Sequence, residues 1–258
     1  MLARVLTAQF YDGLAETYHA LYPDWHAAGR AQAQSLHRML SRWHLGPADI
    51  ADVACGIGTQ MIGLAGLGHR VLGCDISRGA VARARRECAA AGVAAPLLVA
   101  DMRALPLGDC CADAVLCADN ALPHLLADGH VVAALAEMGR ILRPGGTAVI
   151  TTRDYDHVLA APPRATVPQV YRSGTARIIS FQLWTWRGQT DIYDLEHYQV
   201  REDSDGTRST ESRTATYRAY TRATLTALAG QAGLRDVTWH MHHETDFFQP
   251  VMTARKPA

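Results

Sequence analysis

The chain reads as an α/β protein, a Rossmann-like doubly wound mixed seven-stranded sheet with an inserted antiparallel β cap. Three observations predict this. Short apolar runs alternate with helical patterns from residue 50 to residue 155. Three of those runs close on acids, at Asp75, Asp101 and Asp119. Beyond residue 155 the pattern changes to long β-rich runs broken at Arg187-Gly188 and Asp205-Gly206. The alternation belongs to a parallel sheet covered on both faces. Ligands of such sheets bind at the carboxyl ends of the strands, so acids gathered there face one ligand rich in hydroxyls and amines.

Each element has its own signal. Leu36, Met39, Leu40 and Trp43 recur at helical spacing within residues 27–45, and Gly46-Pro47 ends that helix. IADVAC (50–55) is a buried strand, and TQMIGLAGLG (59–68) a helix closed by glycine. RVLGCDIS (70–77) is a strand, and RGAVARARRECAAAG (78–92) a helix. APLLVADM (95–102) and ADAVLCADN (112–120) are strands, HVVAALAEMGRIL (130–142) a helix, RPGG (143–146) a turn and TAVITTRDY (147–155) a strand. In the cap, residues 176–186, 190–202 and 206–220 read as antiparallel strands. Residues 221–234 form a helix with Thr221 as N-cap, and RDVTWHMHH and FQPVMTARK supply the last two strands.

With 258 residues the chain fits one domain with an insertion. Its parts are N-terminal lid helices (1–45), a core (46–155), the cap (156–220), and a final helix and strands (221–258). Hydrophobic residues at 48% and charged residues at 19% support a large core and exclude disorder. A net charge of 0 lacks the basic excess of a nucleic-acid binder. No run of about 18 apolar residues occurs, so no membrane span is expected, and the acid-bearing start does not read as a signal peptide. The six cysteines form no C-x-x-C pair, which suits buried thiols in a reducing cytoplasmic setting. His240 and His242 in HMHHETD share a face if extended, but no third ligand is placed, so no metal is expected.

The loop DVACGIG (52–58) decides the nucleotide. A dinucleotide fingerprint needs a third glycine where this chain has Met61, and does not carry an acid such as Asp52 before the loop. The pattern instead resembles motif I of class I S-adenosylmethionine-dependent methyltransferases, with Asp75 at motif II, ADM (100–102) and ILRPGGTAVI (141–150) at later motifs. The likeness covers roughly residues 28–155. It implies S-adenosylmethionine as cofactor and S-adenosylhomocysteine as product. Gly56 and Gly58 then let the backbone approach the methionine moiety, beside Ala54. Asp75, followed by Ile76, accepts ribose hydroxyls, Asp101 accepts the adenine amino group with Met102 beside the ring, and the Ala118 carbonyl holds the methionine amino group.

A finer resemblance points to the glycine and sarcosine N-methyltransferase group. FYDGLAETYHALYPDW (10–25) opens the chain with aromatics like that group's lid, and Arg30 stands 22 residues before Asp52, where the group keeps an arginine for the cofactor carboxylate. DNALPHL (119–125) resembles GNSFAHL, and TRDYDHVL (152–159) resembles HRNYDYIL, with Asp119 in place of glycine and Asp154 in place of asparagine. The resemblance implies cofactor contacts from Tyr22, Trp25, Arg30 and Asn120, and catalytic roles for Tyr18 and His124. The cap matches that group only weakly; Arg177, Trp184 and Tyr217 alternate on its strands as acceptor contacts, and Arg153, at the end of the fifth strand beside Tyr155, is the better placed for a carboxylate-bearing acceptor. The expected acceptor is a small-molecule amine or amino acid. An O- or C-methyltransferase for a natural product and a catalytically silent cofactor-binding protein are the competing readings. Relatives with swapped lids are compatible with a homo-oligomer.

Overall fold

The computed structural model describes residues 2–42, 46–188 and 190–258, with side chains from residue 7 onward. Trp43 of the helical stripe lies outside the described residues. Helix α1 (Leu2–Leu14) is followed by a 3-10 turn at Tyr18–Leu21 and by α2 (Trp25–Leu40). The Asp24 side chain caps α2 by accepting from the Ala27 amide at 2.8 Å.

The core then runs β1 (Asp49–Asp52), α3 (Met61–Gly66), β2 (Arg70–Asp75), α4 (Arg78–Ala90), β3 (Leu97–Val99), β4 (Ala112–Cys117), α5 (Asp128–Ile141) and β5 (Leu142–Thr151). Helix α6 (Tyr155–Ala160) leads into the cap strands β6 (Gln169–Ser173), β7 (Ala176–Trp186), β8 (Ile192–Glu202) and β9 (Arg208–Arg218). Helix α7 (Arg222–Gln231), β10 (Arg235–His240), a short α8 (His242–Thr245) and β11 (Val251–Arg255) complete the chain.

The main sheet has the order β10-β11-β5-β4-β1-β2-β3. Strands β1 to β5 pair in parallel, while β11 runs antiparallel to both β5 and β10. Strand β1 has β2 on one side and β4 on the other, so the winding reverses there and opens a crevice above the carboxyl ends. Two apolar layers flank the sheet. One gathers Leu135, Met138, Leu225 and Leu228 from α5 and α7, and the other Leu36, Met39, Leu64 and Val81 from α2, α3 and α4.

The seven-stranded sheet and the antiparallel cap follow the sequence reading, with local differences. The cap gains β6, because the exposed stretch 169–173 carries too little apolar alternation to signal a strand. The strand expected to reach residue 155 stops at Thr151, because Asp154 caps α6 instead. RPGG does not end a helix in a free turn. Arg143 to Gly146 form an irregularity at the start of β5, between the Ala112–Leu142 and Ala114–Thr147 pairs. His242 begins α8 rather than extending β10, and its Nδ1 donates to the Phe247 carbonyl at 2.8 Å while His240 meets Thr253 on β11. The two rings therefore do not share a strand face.

Helix α2 is packed directly on the glycine loop. Trp25 donates from its indole to Thr59 at 2.9 Å, and a Cβ at Gly29 would come within 2.7 Å of the Thr59 carbonyl oxygen. Backbone on both sides leaves no flexible atom to yield. Gly29→Ala is therefore expected to lower stability by about 1–3 kcal/mol, measured as a shift of the urea midpoint at unchanged slope.

Candidate functional site

The crevice above the sheet holds two cavities that share one wall. The first, about 1080 Å³ of empty space partly open to solvent, lies over β1, β2 and β4. The second, about 1310 Å³, lies between the main sheet, the N-terminal lid and the cap. Tyr11, Tyr18 and Asp119 line both.

The first cavity is built by the glycine loop. Gly56 and Gly58 have φ of +53° and +97°, which glycine alone adopts freely. A Cβ on Gly56 would project into open space, the space a ligand would occupy. Asp75 closes β2 with one oxygen accepting from the Gly56 amide at 2.9 Å and the other from the Ser77 amide at 2.9 Å. Burial pushes its carboxyl upward, although these two amides pull the other way. Each oxygen keeps a further lone pair for a hydroxyl. Below it, Asp52 is fully buried at the end of β1, accepts from the Ala54 amide and has no partner at Oδ2. Burial first, and the charge of Asp75 second, raise Asp52 to about 7.

Of the residues expected at a cofactor, Ala54, Gly56, Asp75, Ile76, Asp101, Met102 and Ala118 line this first cavity, together with Tyr18 and His124, the two expected to act in catalysis. Asp101 is engaged more fully than expected. Arg103 takes both its oxygens, at 3.0 and 2.7 Å, so an adenine amino group would share a carboxylate already paired. Arg103 itself lines the cavity, and the sequence gave no sign of it beyond its place two residues after Asp101. The remaining predicted cofactor residues lie elsewhere. Tyr22 and Asn120 line the second cavity. Trp25 is buried on Thr59. Arg30 is exposed on α2 and, with Gly58, lines a separate depression toward α3. The family resemblance assigns Arg30 to the cofactor; in this structure its side chain faces that depression rather than the first cavity.

Between the cavities stands a polar, aromatic wall. His124 lies 2.8 Å from the Tyr11 hydroxyl, and its ring centroid is 4.0 Å from that of Tyr217. Burial, reinforced by the charge of Arg153, pulls His124 down to about 3, so the ring is neutral near pH 7. A neutral ring in hydrogen-bond reach of the Tyr11 hydroxyl is placed to position that phenol. Tyr18 donates to Asp119 at 2.8 Å, and burial raises its hydroxyl well above the usual phenol range, so it acts as a neutral donor.

In the second cavity Arg153 is held from three sides. It donates to the Tyr193 hydroxyl at 2.8 Å and to Gln182 at 3.3 Å, and its guanidinium lies 4.8 Å from the Trp184 ring and 5.4 Å from that of Tyr217. No carboxylate pairs with it among the described residues. Burial opposes its charge, yet the surrounding phenols of Tyr193, Tyr155 and Tyr217 outweigh that and the net direction is upward. Tyr217 lines this cavity as predicted. Tyr155 and Trp184 do not: both are buried behind it, Tyr155 bonding to Tyr193 at 2.9 Å and Trp184 stacking on Tyr193 at 4.4 Å. Arg177 is exposed at the far end of β7, since alternation along the strand turns it from the face that carries Ile178. His197, on β8, was missed. It lines the cavity, is buried, and has no partner at either ring nitrogen.

Comparison with known proteins agrees with this geometry. A family model described as a methyltransferase domain matches residues 50–146. That segment of the chain therefore resembles a methyltransferase domain. The chain is 32% identical over 139 residues to a glycine/sarcosine N-methyltransferase of Parasynechococcus marenigrum (strain WH8102), a match covering 53% of this chain and 48% of that one. The chain thus spans about half the length of that curated relative. Its fold is that of Streptomyces venezuelae DesVI, with a TM-score of 0.81 at 21% identity over 95% of this chain and 98% of that one. It is also that of CalS10, an amino pentose methyltransferase from Micromonospora echinaspora with S-adenosylmethionine bound, with a TM-score of 0.74 at 21% identity over 93% and 96%. No described helix of the chain is long and apolar enough to cross a membrane.

The buried histidine of the second cavity gives the fold a pH dependence. Burial, then the charge of Arg213, lowers His197 from its ordinary 6.5 to about 4. The unfolded chain therefore binds the extra proton between those values, and stability is lost as pH falls from 6.5 toward 4. His197→Gln is expected to flatten the acid side of the stability curve by up to about 1.4 kcal/mol per pH unit, read from urea melts at pH 4.5, 5.5 and 7.

Proposed function

We propose that this chain transfers a methyl group from S-adenosylmethionine to an amine nitrogen of a small molecule. The observation that carries the reading is the pair of cavities meeting at Tyr11, Tyr18 and Asp119. One has the acids, the glycine loop and the apolar Ile76 and Met102 that suit a nucleoside; the other is a separate, aromatic-lined space for an acceptor. The curated N-methyltransferase relative and the amino pentose methyltransferase fold neighbour support nitrogen as the acceptor atom.

When bound, the cofactor supplies a methyl carbon already activated on a sulfonium. The residues of the chain are left with binding, alignment and exclusion of water. Gly56 brings backbone close to the methionine part, and Asp75 meets hydroxyls with both oxygens fixed by backbone amides. Tyr11 and Tyr18 close the junction between the cavities, fixed by His124 and Asp119. Holding the reactants in line in this way contributes roughly 7–11 kcal/mol. No residue with the character of a strong base is required, because an amine can arrive neutral. The unpaired Arg153 suits an acceptor with an anionic group, which it would meet from the floor of the second cavity.

A second reading has its own support. The acceptor cavity also carries Phe10, Phe181 and Leu195, which suit a bulkier natural product methylated on oxygen or carbon. A labelled methyl-transfer screen separates the two. Label on amino acids, biogenic amines or amino sugars is the expected result; label on phenols or carbon acids alone would replace the amine reading. Replacing Arg153 by alanine is expected to raise the Michaelis constant of an anionic acceptor by about tenfold or more and to leave that of the cofactor nearly unchanged. Equal changes in both would remove Arg153 from the acceptor side.

A further inference from the structure

Asp119 stands where the methyl group would cross. It follows β4 with φ of +56°, a left-handed conformation that costs a non-glycine residue about 1–2 kcal/mol. Its amide donates to the Thr151 hydroxyl at 2.8 Å, which holds its backbone against the end of β5. The hydroxyls of Tyr18 and Tyr22 both donate to one carboxylate oxygen, Oδ2, each at 2.8 Å. Oδ1 receives neither. No arginine, lysine or histidine pairs with this carboxylate among the described residues. It is partly buried and lines both cavities.

A partly buried carboxylate whose side-chain partners are neutral hydroxyls leaves an acceptor that a cation or an N–H donor would complete. The rings about it favour a cation too: Tyr11, Tyr18 and Tyr22 follow one another at centroid distances of 6.4 and 6.3 Å. We propose that Asp119 is the acceptor-recognition residue, its Oδ1 accepting a hydrogen bond from an N–H of the acceptor amine at the junction of the two cavities. This inference rests on the amine reading above. It also gives the carboxylate a catalytic effect. As the nitrogen lone pair forms the new N–C bond, the C–S bond breaks and its electron pair stays on sulfur. Positive charge thus moves from sulfur to nitrogen. A carboxylate bonded to the nitrogen stabilises that movement more than it stabilises the starting state. The proton shed by the methylated nitrogen passes to Oδ1 and from there to solvent.

The test uses three probes in calorimetric titrations of the full chain: S-adenosylhomocysteine, S-adenosylmethionine and sinefungin. Sinefungin carries a primary amine where the methyl group sits, so it presents N–H donors to the junction. S-adenosylmethionine presents a charge without a donor. Asp119→Asn keeps the left-handed preference and an acceptor oxygen for the tyrosines while removing the charge. It is expected to weaken sinefungin by about tenfold or more and to change S-adenosylhomocysteine and S-adenosylmethionine much less. Asp119→Gly, for which the backbone is unstrained, should show the same selectivity. Sinefungin unaffected in both variants overturns the proposal. Equal weakening of S-adenosylmethionine and sinefungin also overturns it, because the carboxylate would then face the sulfonium. Label moving only to phenols or carbon acids in the acceptor screen removes the amine reading beneath it, whatever the sinefungin result.

Discussion

Two consecutive residues in the left-handed conformation, Asp119 and Asn120, tie the halves of this molecule to one point. Their φ values of +56° and +63° are tolerated because both side chains are short and polar and because the end of β5 holds them. The Thr151 hydroxyl accepts from the Asp119 amide and donates to Gln249, and the Thr151 carbonyl accepts from the Asn120 amide at 3.1 Å. Asn120 in turn accepts from the Arg153 amide at 3.0 Å. The lid reaches the same point through Tyr18 and Tyr22, and the cap through the side chain of Arg153. Sheet, lid and cap therefore converge on the tip of β4, and the two cavities open on either side of it.

The cap is assembled around a cation. Trp184, Tyr193 and Tyr217 stack across three neighbouring strands, with interplanar angles of 1° and 11°, and Arg153 lies against the outer two rings. Cross-strand aromatic pairs of this kind stabilise a sheet and stiffen it. The stack explains why a charged group can stay on the cavity wall without a carboxylate: Tyr193 supplies an acceptor, and the ring faces supply a favourable field. The cost is a pocket whose polar groups are incompletely satisfied, with both ring nitrogens of His197 buried without a partner. Sites left in this condition are where a ligand gains most by binding.

Asp52 shows the opposite solution in the cofactor half. It is buried beneath the glycine loop with only the Ala54 amide to meet it, and it sits near Asp75. Burial raises both carboxyl groups toward the neutral form, and the charge of Asp75 adds to that at Asp52, which has a single amide to oppose it. Asp75, with two backbone amides, is the one prepared for hydroxyl ligands.

What the sequence determined by itself was the part governed by local rules. Apolar periodicity placed the strands of the main sheet and its helices, the glycines of DVACGIG marked the loop, and Asp75, Asp101 and Met102 fell on the cavity because strand ends in a doubly wound sheet share one side. Antiparallel alternation from residue 176 announced the cap, but not β6, whose exposed residues carry no apolar stripe. Tertiary structure alone decided which way long side chains point. Arg30 and Arg177 turn outward, Tyr155 and Trp184 withdraw behind Tyr193, and His197 and Arg103 arrive unannounced. It also brought Tyr18 and Tyr22 onto Asp119, residues 101 and 97 positions apart in the chain. Spacing fixes which face of an element a residue occupies; what that face meets depends on elements far away in sequence, and those contacts set burial, charge and therefore chemistry.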